Sequence, residues 1–442
     1  MRPERVSLRE AVPRRRALWL TTASAAVFAT CIASAWLGWR SDYARAWDLP
    51  VYAGYGERVT EGEIPYRDFR LEYPPGALPV FVVPALDLLS GDDDTARVWE
   101  PVDDVSDSAW SYALTFALLM AAAGIGAIVA TSASLAALRR PLGDWLLAHA
   151  LLATSPLVLG GLLYTRYDLL PTAFSAAALA LVLRGRAGWS GVALGLATAA
   201  KLFPLLLAPL LGAFLWRARG RREAVRGGLA LTLTIAACSL PFLLASPGGV
   251  WDSLREQSTR GLQAESTPAS LLVAVTRGAW KLGALDDLPM RIDEGAVGGL
   301  VTAEIRGPGV AAGTVVSTLL VAAAVLLAWA RAARRPLPAD ELVRLCAVVL
   351  VALLALGRVL SPQFVIWLLP FVPLVAGRRG RMATIVLAAA LALTHVWFPD
   401  VYRDYVNLLD APSTALLVVR NALLVGVLAV LVWPARRHED AA

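Results

Sequence analysis

The chain has 442 residues, 57% of them apolar and 17% charged, with a formal net charge of +6, a pI near 9.5 and a mean hydropathy of +0.59. Soluble domains sit nearer about 45–50% apolar and about 25% charged, and here the apolar excess falls in long blocks bounded by arginines. That is the pattern of a polytopic membrane protein, and it excludes disordered, collagen-like, disulfide-scaffold and ordinary soluble classes.

In chain order, Arg14-Arg15-Arg16 precedes an apolar run over 17–39, too long for a signal h-region, which reads as a retained first helix. Further segments are expected at 76–90, 109–137, 145–163, 168–183, 227–246, 309–330, 341–357, 362–377, 382–398 and 413–433. The stretch 189–216 is interrupted by Lys201 and Pro204. A lysine at mid-bilayer is costly and proline breaks the backbone ladder, so two short helices meeting at Lys201 are expected.

Basic clusters at 14–16, 139–140, 184–186, 217–226, 331–335, 378–381 and 436–437 are read as cytoplasmic topology signals facing anionic lipid, not as a nucleic-acid surface. Most intervals between them then hold two crossings. The interval 17–138 holds three candidates, so either 76–90 is short and re-entrant or the acidic stretch 92–107 lies inside. The other side receives residues 40–75, the 164–168 turn, the Lys201 break, the 247–308 loop, the 358–363 turn and 399–412. The expectation is one all-α integral membrane domain over 1–442, with cytoplasmic tails at 1–16 and 434–442. Its first outer loop at 40–75 is structured, and a large outer loop spans 247–308. The three cysteines (Cys31, Cys238, Cys346) lie in apolar segments without metal-like spacing and read as small buried hydrophobes.

The first outer loop is the most informative stretch. It carries Trp47-Asp48-Leu49-Pro50-Val51-Tyr52, Gly62-Glu63-Ile64-Pro65-Tyr66-Arg67-Asp68 and Glu72-Tyr73-Pro74-Pro75. Aromatic faces suit both sugar rings and the membrane interface, and a carboxylate at the membrane surface can take a proton from a hydroxyl. A structured loop with interfacial aromatics accounts for the composition equally.

Asp-Leu-x-Val-Tyr, Gly-x-x-Pro-Tyr and Tyr-Pro-Pro resemble the first outer loop of the family 87 glycosyltransferases. So do Arg166-Tyr167-Asp168-Leu169-Leu170-Pro171, Ala200-Lys201-Leu202-Phe203-Pro204 and Ser361-Pro362-Gln363 followed by Trp367-Leu368-Leu369-Pro370. The resemblance implies a C-type glycosyltransferase-like helical bundle with about 10–13 membrane segments. It also implies an inverting hexosyltransferase using a polyprenyl-phosphate sugar, mannose foremost, and a glycolipid or polysaccharide acceptor of the cell envelope, with no cofactor. The family's base carries over onto Asp48, with Asp42 and Asp68 as competitors. Arg166, Lys201, Arg260 and Arg358 are candidate cations for the phosphate, for which arginine offers a bidentate fork; interfacial snorkelling accounts for Arg358 equally.

Further substrate contacts are expected from Tyr52, Tyr66, Tyr73, Asp168, Gln263, Glu265, Gln363 and His395, though Asp168 could instead only cap a helix. Acidic pairs such as Asp286-Asp287 read as solvated loops, not metal ligands. The chain departs from the characterised mannosyltransferases at Gln363-Phe364, where they carry histidines. A multi-pass transporter or lipid flippase, or a degenerate envelope-assembly scaffold, fits hydropathy equally; the one-sided polar residues favour the enzyme.

Overall fold

Backbone in hydrocarbon must satisfy its own hydrogen bonds, so long apolar blocks become helices. A computed structural model describes residues 11–39, 48–86, 107–297, 300–334 and 337–433. Asp42, the acidic linker 92–106 and the tail residues Arg436, Arg437 and His438 lie outside the described residues.

The first half runs α1 (Arg14–Trp39), α2 (Leu49–Thr60), α3 (Leu78–Ala85), α4 (Asp107–Ala137), α5 (Leu142–Leu159), α6 (Leu169–Leu183), α7 (Ala187–Ala200) and α8 (Ala208–Arg219). The second half runs α9 (Arg221–Ala245), α10 (Pro247–Thr259), α11 (Thr267–Lys281), strands β1 (Arg291–Val297) and β2 (Leu300–Arg306), α12 (Val310–Arg334), α13 (Ala339–Leu356), α14 (Gly377–Val396), α15 (Tyr402–Leu408) and α16 (Ala411–Val432). Among the described residues, seven helices are long and apolar enough to cross a membrane, and four shorter apolar helices accompany them. The chain is an all-α multi-pass membrane protein.

The expected segments are found with two differences. The stretch expected at 362–377 is not a regular helix but two 3-10 turns, Pro362–Leu368 and Val372–Leu374, because Pro362, Pro370 and Pro373 remove ladder donors. The 247–308 loop is itself folded into α10, α11 and the β1–β2 hairpin, in which Arg291 faces Arg306. The hairpin docks on the segment before α11: Ala264 donates its N–H to the Ala303 carbonyl (2.9 Å) and Ile305 to that of Leu262 (3.0 Å).

The arginine-bearing ends meet one another, as the topology argument requires. Arg140 pairs with Asp340 (2.9 Å) and donates to the Leu374 carbonyl (2.7 Å). Arg381 faces Asp144 (3.6 Å), Arg344 donates to the Leu431 carbonyl (2.9 Å), and Arg217 donates to the carbonyl of Ala333. Helix α7 lies directly on α9 because Gly191 and Gly195 admit its backbone, a small-residue contact that suits helices with no hydrophobic drive between them. His149 is a satisfied core histidine between Ser132 (2.9 Å) and the Trp145 carbonyl (2.8 Å).

Candidate active site

A cavity of about 890 Å³ is lined by the 48–74 loop, the 166–167 turn, the Lys201 break, α10 and the loop after it, the 359–367 turn and the 398–407 segment. Six segments far apart in sequence therefore converge, and they are the six that the arginine argument assigned to one side.

Asp48 occupies the N-cap of α2, where Pro50 sits in the first turn, a position that tolerates a missing N–H. Its side chain makes no cap hydrogen bond and turns elsewhere. Oδ2 accepts from Tyr52 Oη (3.2 Å) and is held by the Arg166 guanidinium. Arg166 sits in the turn between α5 and α6; burial brings it down to about 10, against the opposing influence of Asp168 and Glu265. Tyr52 is fixed by stacking on Phe81 (4.5 Å) and by an edge contact with Tyr167 (5.9 Å).

Lys201 ends α7 in extended conformation (φ −157°, ψ 144°), so the helix stops and the chain restarts as the 3-10 turn Phe203–Leu207. Its Nζ pairs with Asp168 Oδ1 (2.6 Å), which also accepts from Trp367 Nε1 (2.6 Å). The ammonium lies 4.8 Å from the Tyr167 and Phe364 rings and 5.3 Å from Trp367. Gly76 makes this neighbourhood possible: a Cβ there would stand 2.5 Å from the Ala199 carbonyl carbon, so only glycine lets the Tyr73-Pro74 segment abut the end of α7.

The third cation, Arg260, faces Glu72 (3.5 Å). Glu265 follows in the same loop, which is fastened by Gln263 N–H to the Arg358 carbonyl (3.0 Å) and by Asn421 Nδ2 to the Glu265 carbonyl (3.2 Å). Burial pushes the Glu265 carboxyl up to about 8, with Arg420 and Arg166 opposing.

Of the sequence-derived candidates, Asp48, Tyr52, Tyr73, Arg166, Lys201, Arg260, Gln263, Glu265 and Gln363 line the cavity. Asp168 stands directly behind Lys201. Three do not line it. Tyr66 turns back to donate to the Tyr73 carbonyl (2.5 Å). Arg358 donates to the Ser258 carbonyl (2.6 Å), bracing α10. His395 packs against Gly160. Asp68 bonds Arg67 and the Ile64 N–H in its own turn.

Sequence reasoning missed Glu72, Gln257, Tyr402 and Asn407 in the lining. It also missed Arg420, which is 0% exposed beneath the Glu265 loop, 5.7 Å from the Trp397 ring. An arginine-asparagine pair inside the apolar run 411–432 was the available signal, since intramembrane charge is rarely idle.

A model of glycosyltransferase family 87 matches residues 71–362, well over half of the chain. The matched interval contains Glu72, Arg166, Lys201 and the Arg260–Ser266 loop; Asp48 precedes it. The comparison with curated proteins gives no match.

Proposed function

The chain belongs to glycosyltransferase family 87, and on that premise we propose that it moves a hexose, mannose foremost, from polyprenyl phosphate to a glycolipid or polysaccharide acceptor on the non-cytoplasmic face. Family membership makes the protein a membrane glycosyltransferase, and the carrier alternative falls away.

One observation carries the finer reading. The cavity joins a carboxylate held on one oxygen, Asp48, to the cations Lys201 and Arg260, and exposed leucines stand on its lining. Leu202 and Leu254 line it while remaining 43% and 40% exposed. A lipid chain can lie along these residues, gaining about 0.8 kcal/mol per buried CH₂, with its phosphate reaching the cations. In the proposed step Asp48 takes the proton of the acceptor hydroxyl and the hydroxyl oxygen attacks the anomeric carbon. The carbon–oxygen bond to phosphate breaks with its electron pair on polyprenyl phosphate, and the configuration inverts. Arg166 and Tyr52 fix the Asp48 Oδ2 edge, which leaves Oδ1 for the acceptor. Preorganised cations near the leaving oxygen stabilise charge as it develops.

Two experiments test this reading. Purified protein in detergent, given membrane extract as acceptor, is expected to transfer hexose from polyprenyl-phosphate mannose and none from a nucleotide sugar. Robust transfer from the nucleotide sugar without lipid donor overturns the mechanism. For sidedness, single cysteines at positions 220 and 254 flank α9. In intact cells position 254 should label with an impermeant thiol reagent and position 220 should not; the reverse puts the cavity on the cytoplasmic face.

A further inference from the structure

Three of the four cations that line the cavity among the described residues, with Arg403 as the fourth, hold a carboxylate. Arg166 has Asp48, Lys201 has Asp168, and Arg260 has Glu72. A lipid phosphate that contacts one of these three must take it from its partner, and the three pairs are unequal. Asp168 is held by two contacts of 2.6 Å, from Lys201 and from Trp367. Asp48 has both the Arg166 contact and the Tyr52 hydroxyl. Glu72 is only 1% exposed, its ion pair is the loose one at 3.5 Å, and neither of its oxygens accepts a hydrogen bond from any described residue. A buried carboxylate built only for stability would be satisfied. Glu72 is therefore the carboxylate that loses least by giving up its partner.

Resting on the lipid-phosphate reading above, we propose that Glu72 is a positioning residue that holds Arg260 at the cavity wall and exchanges it for the donor phosphate, taking up a proton as the guanidinium leaves. The groups around it agree. From α10, Glu256 is already paired with Arg70 (2.6 Å) and adds negative charge; Tyr55 of α2 and the adjacent Tyr73 are neutral neighbours. Burial, with Glu256 adding and Arg260 and Arg70 opposing, pushes the Glu72 carboxyl up to about 7, so proton uptake at neutral pH is cheap. Arg260 and Lys201 line the same cavity and influence each other electrostatically. The sign follows: below pH 7 Glu72 is neutral and Arg260 is available, and as pH rises through 7 the carboxylate competes with the phosphate.

The test uses the full chain in detergent and the methyl ester of farnesyl phosphate, a diester with one constant charge and no sugar. Wild-type affinity should fall about tenfold between pH 6 and 8, with about half a proton taken up per probe bound at pH 7. Glu72→Gln should lose most of that dependence and bind about tenfold more tightly than wild type at pH 8, because Glu265 stays protonated over most of this range. An unchanged pH slope in the variant, or weaker binding at every pH, overturns the proposal and makes Glu72 a structural strut. Absence of proton uptake by the wild type overturns it without any variant. If the wild type binds no probe at any pH, the lipid-phosphate reading itself fails, and the exchange with it.

Discussion

Asp48→Asn is expected to reduce hexose transfer by about 10²–10⁴-fold, the range for loss of a general base, while leaving lipid-donor affinity within a few-fold of wild type. Asparagine keeps the shape of aspartate and can still accept from Tyr52, so α2 should keep its start and the Tyr52–Phe81 stack its place. What it loses is the charge that attracts a proton and that neutralises Arg166. The measurement is single-turnover transfer by purified protein, with donor binding followed in parallel. Wild-type turnover would remove Asp48 from the chemistry and send the search to Asp42. Loss of donor binding together with turnover would mean that Asp48 only orders Arg166.

Lys201 is the second position where a large effect is expected. Lys201→Met leaves Asp168, 1% exposed, with the Trp367 Nε1 hydrogen bond and an uncompensated charge. Breaking such a buried pair costs about 3–5 kcal/mol, so the variant should unfold at markedly lower temperature. Adding Asp168→Asn removes the stranded charge and should recover most of that stability. Donor affinity should not recover with it. A charge-assisted hydrogen bond to phosphate is worth about 1.5–3 kcal/mol, so the double variant should bind a polyprenyl-phosphate probe about 10–100-fold more weakly than wild type. Wild-type affinity in the double variant would show that Lys201 serves only to fasten α7 to the Trp367 turn.

Much of this architecture is local physics and could be read from residue order alone. Apolar run length specifies helices such as α4, α9 and α12, because backbone in hydrocarbon has no other partner. Arginine placement tells which helix ends share a side; Arg140, Arg217, Arg344 and Arg381 each contact the end of another helix. The break at Lys201 was legible because lysine and proline both oppose a continuous helix there, and the motif order pointed to Asp48, Arg166 and Lys201.

The tertiary structure alone decided the pairings. Asp168 meets Trp367 across 199 positions and Asn421 meets the Glu265 carbonyl across 156, separations at which no periodicity or spacing carries information. The same holds for Glu72 and Arg260: each looks like an ordinary loop charge until folding buries one against the other. Conversely, Tyr66, Arg358 and His395 carry suitable chemistry yet leave the cavity, because a backbone carbonyl or a glycine surface close by offers each a nearer contact. Residue type limits what a side chain can do, but whether a distant partner or a near one claims it depends on how the helices pack.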